Sequence, residues 1–573
     1  MKQESLRSNI LKLKGQLDSD RSSFISHWRD LGDFILPRRP QFNLSDGNRG
    51  DRRSQKIIDS TATIAARTQR AGMMGGITSP ARPWFQLTTN DPELAEFGRV
   101  KEWLHDTTRR METVFLRSNL YKCLPVVYGD IGVFGTSVLF VEEDFENVVR
   151  FYNLPIGSYW ISAGQTGTVN TLLREFRLTV KQVVEKFGMT RGASEIDWSR
   201  ISPEVKGKWN SGQKEEWVNI LHIVCPNDDY DPNRLESKFK RIKSAYVEGS
   251  TDTEIPLREE GYNLFPVMAP RWEVSGNDVY GTDCPGMVAL GDIKALQVMQ
   301  KRKSQAIEKM VNPPMVGPTA LKNVKASILP SDITYVDERE GIKGFRPAHE
   351  VNLNLSYLTA DISEHQERIN RAFYADLFLM LSLSDRRDMT AREVEARHEE
   401  KLLVLGPVLE QLNQDLLDPL IDNTFDIMLR QGLIPTPPEE LQGEKLKVQY
   451  VSIMAQAQKL SGISSIERFA SSVTRMASET QNPALLDKVD MDQLIDEYGS
   501  ILSVPPRVIR TDEAVEQIRE SRAEQQKAQV QSEDAVRTAS AVKSLSETDI
   551  NKDSALREML ARSRAGDLVE RGG

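Results

Sequence analysis

The chain has 573 residues, 39% of them hydrophobic, enough to bury several cores and to suggest three or four domain-sized units. Its 74 Lys and Arg against 83 Asp and Glu give a formal charge of −9 and a pI near 5.5, a balance that argues against a general, tightly holding nucleic-acid binder. Cys123, Cys225 and Cys284 are far apart and odd in number, which supports neither a disulfide framework nor a CxxC metal knuckle and fits a reducing cytosol.

Along the chain, Leu6, Ile10, Leu13 and Leu17 recur at helical spacing, and Lys101 to Tyr128 carries a second amphipathic run. The N-terminus has no uninterrupted apolar core, and no window approaches about eighteen apolar residues, so neither a standard secretory signal nor a membrane span is expected. From Ser137 the period shifts to two: "SVLFVEED" and "VVRFYNLP" predict a hairpin, and "WVNILHIVCP", "SAYVEG" and "FPVMAPRWEV" predict further strands. The fold class is therefore α+β, mainly helical. All eight Trp lie between Trp28 and Trp272, no aromatic residue follows Tyr498, and the polar tail from about Arg510 has only weak helical periodicity. Aromatic-poor helices of this kind bury little on their own and usually depend on neighbouring chains or stay mobile.

The run from Asp292 to Pro318 poses a sharper problem. A long helix with five polar residues at its centre, Lys301 to Gln305, meets Pro313, Pro314 and Pro318, which a helix cannot pass without losing hydrogen bonds. Some forty residues containing "DITYV" and "GIKGF" then read as a small β-containing insertion. Leu355, Leu358, Ile362, Ile369, Phe373, Leu377 and Leu381 next keep helical spacings over about 27 residues, roughly 40 Å. The two helices are expected to be antiparallel partners. A polar loop, "SLSDRRDM", follows and ends at the capping box of Thr390 and Glu393, after which a third long helix runs to Gly432 with kinks at Pro407 and Pro419.

Signatures of catalysis are missing. There is no GxxxxGK[ST] run: "GMMGGITSP" has glycines but no Lys, and Gly72, Gly75 and Gly76 read as a helix stop before a Trp84-Phe85 strand. His398-Glu399 lacks the second His of an HExxH zinc site. Gly129, Gly132 and Gly135 read as close helix-to-strand packing. No enzyme activity, cofactor or metal site is expected.

Eight segments carry a family resemblance, in this order: "FISHWRDLGDFILP", "DSTATIAARTQRAGMMGGITSPARPWFQL", "YGDIGVFGTSVLF", "YNLPIGSYWIS" with "REFRLTVKQVVEKFG", "PRWEVSGNDVYGTDCPGMVALGDIKALQ", "KMVNPPM", "DRRDMTAREVEARHEEKLLVLGPVLEQLNQDLLDPLI" and "GSILSVPPRVIRTDEAVEQIRESRAEQ". Over nearly its whole length the chain resembles the portal, or head-to-tail connector, proteins of short-tailed bacteriophages. The residues alone also fit another virion structural or scaffold protein, or a soluble α+β enzyme of unrecognised type.

The resemblance implies a ring of twelve subunits at one capsid vertex, through which a terminase motor drives double-stranded DNA in and from which DNA later leaves. It implies a wing over residues 1–284, a first stem helix over 285–311, a clip over 312–354, a second stem helix over 355–381 and a tunnel loop over 382–390. A kinked wing helix over 391–432, a helical wing and crown base over 433–509, and a crown over 510–573, helical or partly disordered, complete the subunit. The implied partners are other copies of the chain, the terminase large subunit, a tail adaptor, the major capsid and scaffolding proteins, and the DNA in transit, with no membrane.

In such a ring the candidate DNA-contacting residues are Ser384, Asp385, Arg386, Arg387 and Asp388 of the tunnel loop, where the arginines either meet phosphates or pair with the two aspartates. Lys301, Arg302 and Lys303 are candidate lumen residues of the stem; the alternative is a solvated face with salt bridges to a neighbouring subunit. A mildly acidic channel lets DNA slide where a basic one would hold it through counterion release.

Overall fold

The computed structural model describes residues 6–44, 50–91, 94–95, 97–189, 195–249, 255–313, 315–316, 346–347, 355–383, 405–441, 446–450, 469, 471–479, 489–490, 492–495 and 512–546. The chain divides into two units, residues 1–503 and 504–573.

In the first unit, helix α1 (Leu6–Phe34) buries Ile10, Leu17, Trp28 and Leu31 along one stripe. Helices α2 (Thr61–Ile77), α3 (Gly98–Arg117) and α4 (Leu120–Phe134) follow, with strand β1 (Phe85–Thr89) between α2 and α3. Helix α2 packs on α4 at close range: a Cβ on Gly132 would lie 2.3 Å from Gln69 Oε1, and one on Gly129 3.1 Å from Arg70 Cδ. These glycines therefore permit helix-on-helix contact, not the helix-to-strand packing that their order suggests. Gly135 ends α4 in a left-handed conformation, with φ +76. Gly72, Gly75 and Gly76 do not stop α2, which runs on to Ile77. A Cβ on Gly72 would lie 2.2 Å from the Phe378 ring, so that glycine answers to packing.

The hairpin β2 (Val138–Asp144) and β3 (Val148–Leu154) forms as expected and is extended by the two residues of β9 (Val267–Met268). Strand β9 is shorter than "FPVMAPRWEV" predicts because Pro266 and Pro270 supply carbonyls, to Val141 and Ser137, but have no N–H to return. A five-stranded antiparallel meander comprises β4 (Tyr159–Ala163), β5 (Val169–Thr179), β6 (Trp217–Pro226), β7 (Ile242–Glu248) and β8 (Arg258–Tyr262). Helix α5 (Pro203–Asn210) precedes β6 and is capped by Ser202.

Helix α6 (Pro285–Val311) packs along α7 (Leu355–Ala372). The expected apolar stripe buries Ile362, Ile369, Phe373 and Leu377, but the helix is not continuous. It breaks at Phe373-Tyr374, where Tyr374 has φ +54, and resumes as α8 (Ala375–Leu383). The break lets neighbouring apolar residues serve two cores: Phe373 and Ala375 enter one shared with α1 and α6, whereas Leu377 and Phe378 enter another shared with α2 to α4.

Helix α9 (Gly406–Leu412) has Pro407 in its first turn, and a π turn, Asn413–Leu417, leads into α10 (Asp418–Arg430) with Pro419 at its start. Pro419 cannot donate to the preceding turn, and the wide turn falls where that bond is missing. Strand β12 (Leu446–Tyr450) returns to pair with β1. In the second unit, α11 (Asp512–Ser546) is a single long helix. Among the described residues no helix is long and apolar enough to cross a membrane.

Candidate functional site

Among the described residues, the α6–α7 pair buries side chains at one end. Helix α6 opens with Pro285, whose missing N–H is harmless in a first turn, and Gly286, where a Cβ would lie 2.5 Å from the Val133 carbonyl oxygen. Ala289, Leu290, Ile293, Leu296 and Gln297 are buried, and beyond Gln297 no residue of α6 is. Val298, Ile307 and Met310 are exposed, and Val311 is 79% exposed. Helix α7 likewise buries Ile362 and Ile369, while Tyr357 is 79% exposed.

A polar latch fixes the rooted half. Gln297 Oε1 accepts the N–H groups of Ile58 (2.6 Å) and Asp59 (2.8 Å), and its Nε2 donates to the Asp59 carbonyl (3.0 Å). Gln300 and Gln366 each donate to Asp59 Oδ2 at 2.9 Å, so one carboxylate holds both helices. Burial raises the pKa of Asp59, but hydrogen bonds from Thr61, Gln366 and Gln300 outweigh it and leave the group below the ordinary carboxylate value. Lys294 donates to Asp30 at 2.6 Å, and Asp292 faces His365 (2.8 Å) and Arg368 (3.4 Å) across the helix pair. The latch escaped the sequence reading; its traces are Gln297, Gln300 and Gln366, polar residues inside otherwise apolar stripes.

Of the candidate lumen residues, Lys301 and Arg302 are exposed and Lys303 is half-buried, and none forms an ion pair among the described residues. Ser384, Asp385, Arg386, Arg387 and Asp388 lie outside the described residues, as does His398-Glu399. The segment that contains them has both flanks in one core: Leu377 and Phe378 before it, Leu405 after it. Most of the insertion, including "DITYV" and "GIKGF", also lies outside, but its base is visible. There β10 (Met315–Val316) pairs antiparallel with β11 (Arg346–Pro347).

A second fixed point is Arg271, which donates to Asp415 in the π turn at 2.9 and 3.1 Å and to the Gly167 carbonyl at 3.2 Å. Cys123 and Cys284 are buried and Cys225 half-buried; burial pushes the Cys284 thiol up to about 12. No cluster of His, Cys, Asp and Glu among the described residues could hold a metal ion. The site thus offers a helix pair with a partly apolar exposed half and a basic stretch that forms no ion pair among the described residues.

Residues 7–509 match the family described as bacteriophage head to tail connecting protein. The chain is 47% identical over 553 residues to the portal protein of Salmonella phage epsilon15, covering 96% of this chain and 98% of that one. It is 42% identical over 559 residues to the probable portal protein of Bordetella phage BPP-1, covering 98% and 99%. The resemblance carried by the eight segments therefore holds along the whole chain, and it decides against an enzyme: the chain belongs to the bacteriophage head to tail connecting proteins, structural components of the virion.

Proposed function

We propose that the subunit assembles into a closed ring, twelvefold by resemblance, at one capsid vertex, and that the ring is the channel for DNA packaging and ejection. The observation that carries this reading is the α6–α7 pair, whose distal half leaves Val298, Ile307, Met310, Val311 and Tyr357 exposed in the single subunit. Lateral packing of copies would cover such faces. In this reading residues 285–311 and 355–381 are the stem, 312–354 the clip and 382–390 the tunnel loop. Residues 1–284, 391–432 and 433–509 build the wing and the base of the crown, and 510–573 the crown.

The antiparallel pair at the base of the insertion supports a clip set off from the stem by its own short ladder. The clip would dock the terminase large subunit and later the tail adaptor, while the wing and crown would face the major capsid and scaffolding proteins. Arg386 and Arg387 would repeat around the tunnel and touch phosphates briefly, and Lys301, Arg302 and Lys303 would face the lumen or a neighbouring stem. Negative-stain microscopy and native mass spectrometry of the purified chain test the reading. Rings with a central hole are expected; monomers or dimers alone, across salt and concentration, would sink it. Deleting residues 322–345 should leave folded wings and abolish terminase pull-down, and unaffected pull-down would remove the clip assignment.

A further inference from the structure

Two concavities of about 370 and 210 Å³ open side by side where the loop at Gln41 to Leu44 meets β4 and β5, and they share Gln41, Leu44, Ser158 and Glu175. Strand β4 begins at Tyr159, opposite Arg174, whereas β5 runs on to Thr179. Glu175 N–H donates to the Ser158 carbonyl at 3.1 Å. The alternation of an antiparallel strand then turns the N–H and C=O of Arg177 toward the same edge, beyond the end of β4. There they meet no partner among the described residues, while the next N–H on that edge, of Thr179, is taken by Gln182 Oε1 at 3.0 Å. One residue of open strand edge therefore faces a furrow.

The furrow has an apolar and a charged side. Trp217, on β6 opposite Thr179 and on the same face as Arg177, is 55% exposed, and Leu154 and Pro155 line the furrow near the start of β4. Lys14 is paired with Glu175 (2.8 Å) and Arg21 with Asp18 (3.3 Å), and both cations stand over the Trp160 ring. Arg177 has no carboxylate partner among the described residues; its Nε donates to Asn219 Oδ1 at 3.1 Å. An open backbone edge, an exposed Trp and, on the same face of the sheet, one guanidinium without a carboxylate partner among the described residues are together the complement of an extended peptide with an apolar side chain two residues from a carboxylate.

We propose that this furrow docks an extended acidic segment of another protein, added as a short strand against Arg177, with its apolar side chain on Trp217 and its carboxylate on the Arg177 guanidinium. The open N–H and C=O of Arg177 favour a peptide backbone over a nucleic-acid strand, which has no such ladder to offer.

The test uses the full chain and a fluorescein-labelled hexapeptide, Glu-Thr-Val-Thr-Glu-Thr, whose glutamates and valine share one face of an extended strand, followed by anisotropy and by quenching of tryptophan emission. Parallel arms use the same peptide with lysine for glutamate, the same peptide N-methylated along its bonding edge, and oligothymidylate. Saturable binding of the glutamate peptide is expected, weakened about tenfold or more by Trp217→Ala, by Arg177→Glu and by N-methylation, with no competition from the lysine peptide. The N-methylated arm needs no variant protein to fold. The proposal is overturned if the glutamate peptide fails to saturate, if binding ignores both substitutions, or if oligothymidylate binds more tightly. It is also overturned if Trp217→Ala abolishes self-association, which would assign the furrow to a second copy of the chain.

Discussion

Asp415→Ala should destabilise the first unit by about 3–5 kcal/mol, the cost of breaking a buried pair and leaving one charge uncompensated. The side chains of Arg271 and Asp415 are only 5% and 9% exposed and meet through two bonds of 2.9 and 3.1 Å. At an effective dielectric of about 20, charges roughly 4 Å apart attract by about 4 kcal/mol, in the same range. After the substitution Arg271 keeps the Gly167 carbonyl at 3.2 Å, and Gln411 loses the acceptor it now reaches at 2.7 Å. The double variant Arg271→Met with Asp415→Leu removes both charges and fills the space, so it should be far less destabilised than the single one. Urea unfolding followed by tryptophan emission reports directly, because Trp272 adjoins Arg271. A cost below about 1 kcal/mol for Asp415→Ala, or a double variant as unstable as the single, would refute the reasoning.

Asp59→Ala removes the acceptor shared by Thr61, Gln300 and Gln366, about 1 kcal/mol per bond, and amide exchange in α6 and α7 should accelerate together. Because the folded pKa of Asp59 is depressed, the latch is complete above about pH 4 and is lost as pH falls through that lowered value; the variant should lack this acid-side loss. His222 is fully buried, and burial, with Arg174 and Lys186 nearby, holds its pKa well below the ordinary value. Stability should therefore fall as pH drops below about 6.5, by up to about 1.4 kcal/mol per unit, and His222→Asn should flatten that slope in a thermal-melt series. Gly286→Ala drives a Cβ to 2.5 Å from the Val133 carbonyl oxygen and should cost about 1–3 kcal/mol by thermal unfolding. Replacing Arg386 and Arg387 by Ala should leave ring assembly intact and change the packaged DNA length per particle, more strongly when they are replaced by Glu; unchanged lengths would reduce them to partners of Asp385 and Asp388.

What was legible in the sequence is what neighbours along the chain decide. The alternation of "SVLFVEED" produced β2, the spacing of Ile362 and Ile369 produced the buried stripe of α7, which Phe373 continues at its end, and Pro407 and Pro419 mark helix starts on either side of the π turn. Contacts between distant residues were not legible. Strand β12 reaches back more than three hundred residues to β1, and Arg271 finds Asp415 at a separation of 144. The break at Tyr374 carries no Gly or Pro to announce it; two cores on either side demand it. The glycines of α2 and α4 were visible but misread, because a glycine that stops a helix and one that admits a neighbouring side chain look alike until Phe378 and Gln69 are in place. Strands β4 and β5 were missed altogether, since Trp160, Arg174 and Glu175 disturb the simple alternation.

The exposed side chains of α6 also bear on how copies would meet. Val298 and Ile307 are nine positions apart, and at about 100° per residue they point to opposite sides of the helix. A two-fold dimer uses one patch twice and would leave one of these side chains in water. A cyclic arrangement places a neighbour on each flank and presents two different surfaces to them, so it can cover both. Val298 and Ile307 are 49% and 41% exposed, so covering each would add about 1 kcal/mol, and each interface of a ring would repeat that gain. The rooted half of the helix pair needs no such help, because Ile293, Leu296, Ile362 and Ile369 are already buried and Asp59 latches both helices. The division between the buried half and the exposed half falls just past Gln297, and the basic stretch of Lys301, Arg302 and Lys303 lies wholly in the exposed half, where a neighbouring copy would meet it.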